Sequence, residues 1–234
     1  MSIISKLLDL IYPPLCCSCG AKLSNHDRFF LCPECSGSIT FIKNPVCPVC
    51  GVPGNNGECA ACARSDYSFT LARAACLYES PASDAVKQFK YGKNLWLSKT
   101  LSDLLLEGMK EFPEAASADI IAPVPLARVK EKERGFNQSE ILSRAAGRAL
   151  GKKVSVKNLV RIKHSPPQTK LAGKARRENV RGIFRVHDRD EFRGRDVLLV
   201  DDVFTTGATA DECSRELLGA GARGVNVFTL AKKL

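Results

Sequence analysis

From Leu71 onward, apolar and polar positions switch between a strand-like and a helix-like period. LARAACLYE reads as a strand, and SPASDAVKQFKY after it as a helix with Ser80 as N-cap and Pro81 at its first position. LWLSKTLSDLLLEGMKEF repeats its apolar residues at helical spacing. ADIIAPVPL is a strand running into a proline-braced loop, NQSEILSRAAGRALG a helix closed by Gly151, and VKNLVRI a short strand. DVLLVDDV carries an unbroken apolar run, the mark of a strand buried on both faces of a parallel sheet. A helix from Ala208 to Ala220 and a closing strand, GVNVFTLA, complete the pattern. This alternation predicts an α/β domain over 67–234 with a mostly parallel sheet flanked by helices.

Residues 1–66 lack that alternation and are marked by cysteine instead. Of 11 cysteines in the 234-residue chain, nine fall in the first 62 positions. Eight form Cys-x-x-Cys pairs: Cys16/Cys19, Cys32/Cys35, Cys47/Cys50 and Cys59/Cys62. Each pair puts two thiolates on a tight turn, and two such turns complete a tetrahedral zinc site with Zn–S near ~2.3 Å. Redox dithiols or an iron–sulfur cluster are the competing readings. The short spacers favour sequential pairing, with Cys16, Cys19, Cys32 and Cys35 in one ribbon and Cys47, Cys50, Cys59 and Cys62 in the other. An interleaved scheme stays open. Gly20 and Gly51 each follow a second cysteine, where a knuckle often needs a positive φ. All four positions around each zinc are filled, so two structural Zn²⁺ are expected, supplying much of the ribbon's folding energy. Cys17 is a spare thiol, Cys76 and Cys213 read as core residues, and His26 could replace a cysteine ligand. ARSDYSFT reads as the boundary between a double zinc ribbon at 1–66 and the α/β domain at 67–234.

Charge adds a second asymmetry. The chain carries a net +10, and residues 121–195 hold 20 Lys+Arg against 7 Asp+Glu. Such an excess suits a polyanionic partner, a nucleic acid or a phosphate-rich substrate, or else is a solvated basic face. No apolar run reaches the ~18–20 residues of a membrane span. MSIISKLLDLIYPPLCC reads as a short amphipathic helix, not a signal peptide, which points to the cytoplasm.

The chemistry concentrates in VLLVDDVFTTGAT, residues 197–209. A buried strand ends in adjacent carboxylates, Asp201 and Asp202. A turn with Thr205, Thr206, Gly207, Ala208 and Thr209 follows, and then a helix starts. Ligands of open α/β sheets bind at the carboxyl ends of strands. Turn amides, hydroxyls and a helix N-terminus suit a phosphate, and Gly207 lets the backbone come close to it. The carboxylates suit the two hydroxyls of a ribose. The zinc ribbons are expected to lie far from this turn.

This stretch resembles the signature of type I phosphoribosyltransferases, which use 5-phosphoribosyl 1-diphosphate (PRPP). IAPVPLARVKEKERGFNQ at 121–138, PPQTKLAGKARRENVRGIF at 166–184, the cysteine ribbons and the YPPLC opening from Tyr12 resemble the ComF family of competence-related proteins, over nearly the whole chain. The resemblance implies a type I phosphoribosyltransferase-like α/β fold joined to a double zinc ribbon. It also implies a role in DNA uptake, natural transformation or DNA utilisation, with a ComFA-like helicase as a partner in some bacteria. On it, Asp201 and Asp202 hold the ribose hydroxyls, and one carboxylate of the pair also stabilises the positive charge that develops on the sugar. Residues 205–209 hold the 5-phosphate. Val124, Pro125 and Leu126 occupy the diphosphate loop, with Arg128, Lys130, Lys132 and Arg134 running past it beside Mg²⁺, or else forming a solvated helix face. Residues 164–182 fall at a mobile hood, with Gln168, Lys174, Arg176, Arg177 and Asn179 as its polar candidates. Asn137 reads equally as a helix cap. Displacement of diphosphate at C1 is the implied reaction, with the acceptor unspecified. Two other classes remain open: a binder of single-stranded DNA, for which 121–195 offers only Phe136, Phe184 and Phe192 as stacking groups, and an adaptor that senses PRPP without turnover.

Overall fold

The computed structural model of the chain describes residues 14–23, 30–54, 56–92, 94–162 and 182–234. The expected N-terminal helix, Tyr12, His26, His164 and the hood candidates Gln168, Lys174, Arg176, Arg177 and Asn179 lie outside the described residues.

Strands β1 (Leu71–Leu77), β2 (Ile120–Pro123), β3 (Lys153–Val154), β6 (Asp196–Phe204) and β7 (Gly224–Lys232) form a five-stranded sheet in the order β1-β7-β6-β2-β3. Every pairing in it is parallel. β6 lies between β7 and β2, and Val197 to Val200 are wholly buried, as an apolar run covered on both faces requires. VKNLVRI does form a strand, β4 (Leu159–Arg161), but outside this sheet. It pairs antiparallel with β5 (Phe184–Val186), and the Asn158 carboxamide ties the hairpin by accepting from the amides of His187 and Asp188.

Helices cover both faces. On one lie α2 (Ala82–Tyr91), α3 (Leu97–Met109) and α6 (Gln138–Leu150), which contribute Phe89, Leu101, Leu105 and Leu142 to the core. On the other lies α7 (Ala208–Gly219), with Cys213 and Leu217 against Leu199 and Val227. Cys76 and Cys213 are fully buried core residues, as expected. Helix α2 starts one residue later than expected. Pro81 is its N-cap, and the Ser80 hydroxyl instead donates to Asp84 Oδ2 at 2.6 Å. Short helices α1 (Pro33–Gly37), α4 (Pro113–Ala116) and α5 (Arg128–Arg134) complete the set described. Among the described residues no helix is long and apolar enough to cross a membrane.

The two ribbons straddle the β1 edge. Cys16, Cys17, Leu23 and Leu31 join the core on the α2–α3 side, and Cys47, Cys50, Cys62 and Phe69 join the α7 side. The chain between them, residues 40–49, runs along β1: Ile42 N donates to Ala75 O, Leu77 N to Thr40 O and Ala72 N to Val49 O, at 2.9, 2.9 and 2.7 Å. Arg73 of β1 is buried, and its Nη1 donates to the carbonyls of Cys47 and Pro48. The segment read as a boundary is a brace. Phe69 is buried, Ser68 N donates to Asp211 Oδ1 of α7, and Thr70 N donates to Val225 O. Its aromatic residues found a hydrophobic contact that a polar linker would not have needed.

Candidate active site and metal centres

The eight paired cysteines fall into two groups, Cys16/Cys19/Cys32/Cys35 and Cys47/Cys50/Cys59/Cys62, each with its sulfurs within 4.8 Å of one another. This is the sequential scheme. Cys19 and Cys32 sulfurs lie 3.7 Å apart, as do those of Cys50 and Cys59. The edge of a tetrahedron with ~2.3 Å Zn–S bonds is about 3.8 Å, so both sets fit zinc. Backbone amides already point at the sulfurs: Cys32 N to Cys16 Sγ and Cys59 N to Cys47 Sγ, each 3.4 Å. Burial alone would raise the Cys16 and Cys47 thiols. The amides around them, Cys19 and Cys32 for the first and Cys50 and Cys59 for the second, outweigh it and bring each down to about 6. Burial raises the Cys35, Cys50 and Cys62 thiols in the same two sets, so all four of a set become thiolates only with a metal ion to hold them. Gly20 and Gly51 take φ of 75° and 70°, as the knuckles require.

The second centre lies around β6. The strand runs past the two carboxylates to Phe204, because Val203 and Phe204 continue the ladder with Ala231 and Lys232 of β7. Asp201 and Asp202 point into different surroundings. Asp202 is buried, and Lys90 Nζ of α2 lies 2.8 Å from its carboxylate. Oδ1 accepts a hydrogen bond from that ammonium, and the buried Oδ2 lies equally close to it as its ion-pair partner. Burial works to lower the Lys90 ammonium, but the Asp202 and Asp201 charges outweigh it and hold it above the ordinary lysine range. Asp201 is partly exposed, and its Oδ1 accepts from Ser139 Oγ at 2.7 Å and from Asp202 N at 2.8 Å. Although the residue keeps some accessible surface, its carboxyl group is surrounded by protein, and this burial, then the adjacent Asp202 charge, push it up to about 7.

That shift has a sign. The folded chain holds the Asp201 proton more tightly than the unfolded chain does, so this group's contribution to stability is fully present below the ordinary carboxylate pKa of ~3.9 and is lost as pH rises through about 7. Asp201→Asn is expected to stabilise the unliganded protein at pH 8, with the gain shrinking steadily towards pH 5.5. Urea melts of both proteins across that range measure it, and a gain that is absent or independent of pH contradicts the assignment.

The turn after β6 keeps Thr205 exposed and Thr206 and Thr209 partly exposed, with Gly207 as the N-cap of α7 and Ala208 and Thr209 in its first turn. Gly207 has φ 75°, and a Cβ there would fall 2.7 Å from Phe204 Cζ and 3.1 Å from Tyr67 Cε1. The glycine is therefore demanded by packing and by its backbone conformation, with no ligand invoked. The second ribbon is not far from this turn, as the sequence suggested, but next to it. Tyr67 Oη donates to Thr206 O at 3.1 Å, and a cleft of about 1180 Å³ is bordered by Cys59, Cys62, Tyr67, Phe204, Thr205 and Thr206. The brace from Cys62 to β1 brings the second ribbon across.

Opposite the turn, Val124 is buried and its N donates to Val200 O, while Pro125 and Leu126 are partly exposed and lead into α5. Asn137 caps α6: its Oδ1 accepts from Ser139 N, and its Nδ2 donates to Val124 O. Both ends of the carboxamide are thus spent on structure, fastening the 124–126 loop. Arg134 Nη1 donates to Gln138 Oε1, and its guanidinium stands 5.3 Å from the Tyr91 ring. Burial, then the like charges of Arg134, Arg161 and Lys90, hold the Lys130 ammonium below the ordinary lysine range. Arg128 is exposed and shares a separate pocket of about 360 Å³ with Val129, Arg161 and His187. Lys132 is exposed. Part of the basic excess is paired locally, as in Lys153–Glu191 and Arg144–Glu140. Sequence reasoning singled out neither Lys90, Ser139, Tyr67 nor Arg161. Lys90 meets Asp202 across 112 positions, and nothing local announces such a contact.

Residues 7–66 match the double zinc ribbon domain family. The chain is 31% identical over 223 residues to competence protein F of Haemophilus influenzae, covering 87% of this chain and 97% of that protein. It is 29% identical over 230 residues to the DNA utilization protein YhgH of Escherichia coli K12, covering 96% and 100%. Among solved structures it is similar to an adenine phosphoribosyltransferase at 20% identity, over 62% of this chain and 74% of that one, with a TM-score of 0.38, too distant to carry an argument alone.

Proposed function

The chain belongs to the competence protein F family, and from that membership and the site geometry we propose that it binds PRPP with Mg²⁺ at the turn after β6 and serves DNA uptake or utilisation. The observation that carries this reading is the pair Asp201–Asp202 near the carboxyl end of a central parallel strand, directly before a threonine-rich turn that starts a helix. In this reading Asp201, partly exposed, accepts from the ribose hydroxyls. Asp202 keeps Lys90 in place. The turn 205–209 takes the 5-phosphate on its amides and hydroxyls. The 124–126 loop and the cations Lys130 and Arg134 face the diphosphate, whose negative charge relieves the repulsion around Lys130. Arg128 and Arg161 together border a separate pocket beyond that loop.

The chemistry that such a site supports is displacement at C1 of the ribose. The C1–O bond to diphosphate breaks, the leaving group departs with the electron pair into the cationic wall, and the acceptor's lone pair forms the new bond. Fixed charges and position supply the catalysis. Calorimetric titration with PRPP and Mg²⁺ tests the binding. The wild type is expected to bind, and Asp201→Asn to lose about 1.5–3 kcal/mol of affinity, the worth of a charged hydrogen bond. Equal affinity in the two proteins rejects the ribose assignment. Consumption of PRPP in the presence of nucleobases or oligonucleotides then separates a transferase from a sensor that binds without turnover.

A further inference from the structure

The second ribbon reaches the turn after β6 through two side-chain columns. The first starts at Cys50, one of the four zinc ligands. Its carbonyl accepts from Lys232 Nζ at 2.9 Å, and that ammonium, on a residue only 4% exposed, stands 4.1 Å from the centre of the Phe204 ring. The Phe204 ring in turn lies against Gly207, with no room for a Cβ between them. The second column starts at Cys62, five residues before Tyr67. The Tyr67 ring stacks on Phe69 at 4.6 Å, and its hydroxyl donates to the Thr206 carbonyl. Between the columns lies the 1180 Å³ cleft, so this side of the turn borders open space and not a packed wall. Among the described residues the first ribbon packs instead on the α2–α3 side of the sheet through Cys16, Cys17 and Leu31, and its polar contacts there, Gln88 Nε2 donating to Cys17 O among them, go to α2 and not to the turn.

We propose that the second ribbon, with Lys232 and Tyr67 as its positioning residues, sets the conformation of the 205–209 turn, so that filling of the Cys47/Cys50/Cys59/Cys62 site governs anion binding there while the first site does not. The claim about the turn stands on contacts alone. Its consequence for affinity rests on the PRPP reading above. The physical basis is that backbone amides bind an anion well only when they are held convergent before it arrives, and a turn beside open space needs an external restraint to stay so.

The test uses the full chain and two readouts. Amide hydrogen exchange over 203–212 without ligand reports the turn, and titration with PRPP and Mg²⁺ reports affinity. Tyr67→Phe removes one hydroxyl and Lys232→Met one charge. Each is expected to speed exchange in the turn by roughly 3- to 10-fold, the worth of one net hydrogen bond, with two zinc ions per chain retained. Cys59→Ser is expected to lose one zinc and to loosen the turn at least as much. Cys19→Ser should lose the other zinc and leave the turn as in the wild type. Affinity should fall in the same order as exchange rises. Unchanged exchange in Tyr67→Phe and Lys232→Met overturns the proposal, even if Cys59→Ser fails to fold. So does equal loosening by Cys19→Ser. If the wild type binds no PRPP while the exchange pattern appears as described, the positioning role is upheld and the ligand reading fails on its own.

Discussion

Purified full-length protein is expected to carry two zinc ions per chain, and serine at any one of the eight paired cysteines to remove one of them. The effect on stability is expected to be the largest available in this molecule. Apparent zinc affinities of small cysteine sites correspond to about 10–16 kcal/mol, against about 5–15 kcal/mol for the whole stability of an ordinary domain. Here the ribbons do not hang from the α/β domain as separate beads. Cys47, Cys50 and Cys62 belong to the same buried cluster as Leu199 and Val227. Stripping the metal with a chelator should therefore lower the melting midpoint of the entire chain, not only erase a small separate transition. Elemental analysis beside thermal melts measures both quantities. A metal-free preparation with the melting curve of the loaded protein would refute the metal assignment.

The second large effect concerns Lys90 and Asp202. Their side chains are 17% and 7% exposed, and each is the other's countercharge at 2.8 Å. Removing one partner strands a buried charge, a change that costs about 3–5 kcal/mol. Lys90→Met and Asp202→Asn are each expected to lose close to the lower figure, since Lys90 keeps some contact with water. The double variant Lys90→Met/Asp202→Asn should recover most of the loss, because neither charge is then left unpaired. Urea denaturation of the four proteins gives the coupling directly. Losses under about 1 kcal/mol in both single variants would mean that water, not the partner, satisfies these charges, and the account of Asp202 as a support for Lys90 would fall.

The contrast between these two cases explains what could be read from the sequence. The ribbons were legible because their chemistry is local: two thiolates three residues apart, repeated, with glycine where the knuckle needs φ of about 70°. The strand at 196–204 was legible because burial on both faces leaves no polar position in Val197 to Val200. Helix α6 was legible from Asn137 to Gly151, since both of its caps are local devices. What remained hidden depends on contacts that the fold alone brings about. Ser139 sits in the first turn of α6 like any polar residue there, until the loop fastened by Asn137 turns it towards Asp201. Tyr67 and Phe69 looked like part of a linker because aromatic residues have no period in eight positions. The helix at Arg128–Arg134 was legible only as a solvated alternative to a run of cations, being short, with no buried residue to give it an apolar stripe. Gly207 was read towards a ligand from its place in the turn, and the Phe204 and Tyr67 rings, which call for glycine there as well, could not be seen from the sequence.

The path of residues 40–49 along β1 bears on the behaviour of the whole molecule in solution. A parallel sheet has two borders. At one, β3 is two residues long and offers little to a visiting strand. At the other, LARAACL is seven residues of nearly continuous apolar character, and its outward amides and carbonyls would serve as a template for any extended chain. Residues 40–49 occupy that template, and they are held there because a metal-fastened knuckle grips the chain at each end. The ribbons thus cover the border of the sheet, and loss of zinc is expected to bare it to other extended chains, which aggregation of the chelator-treated protein would report.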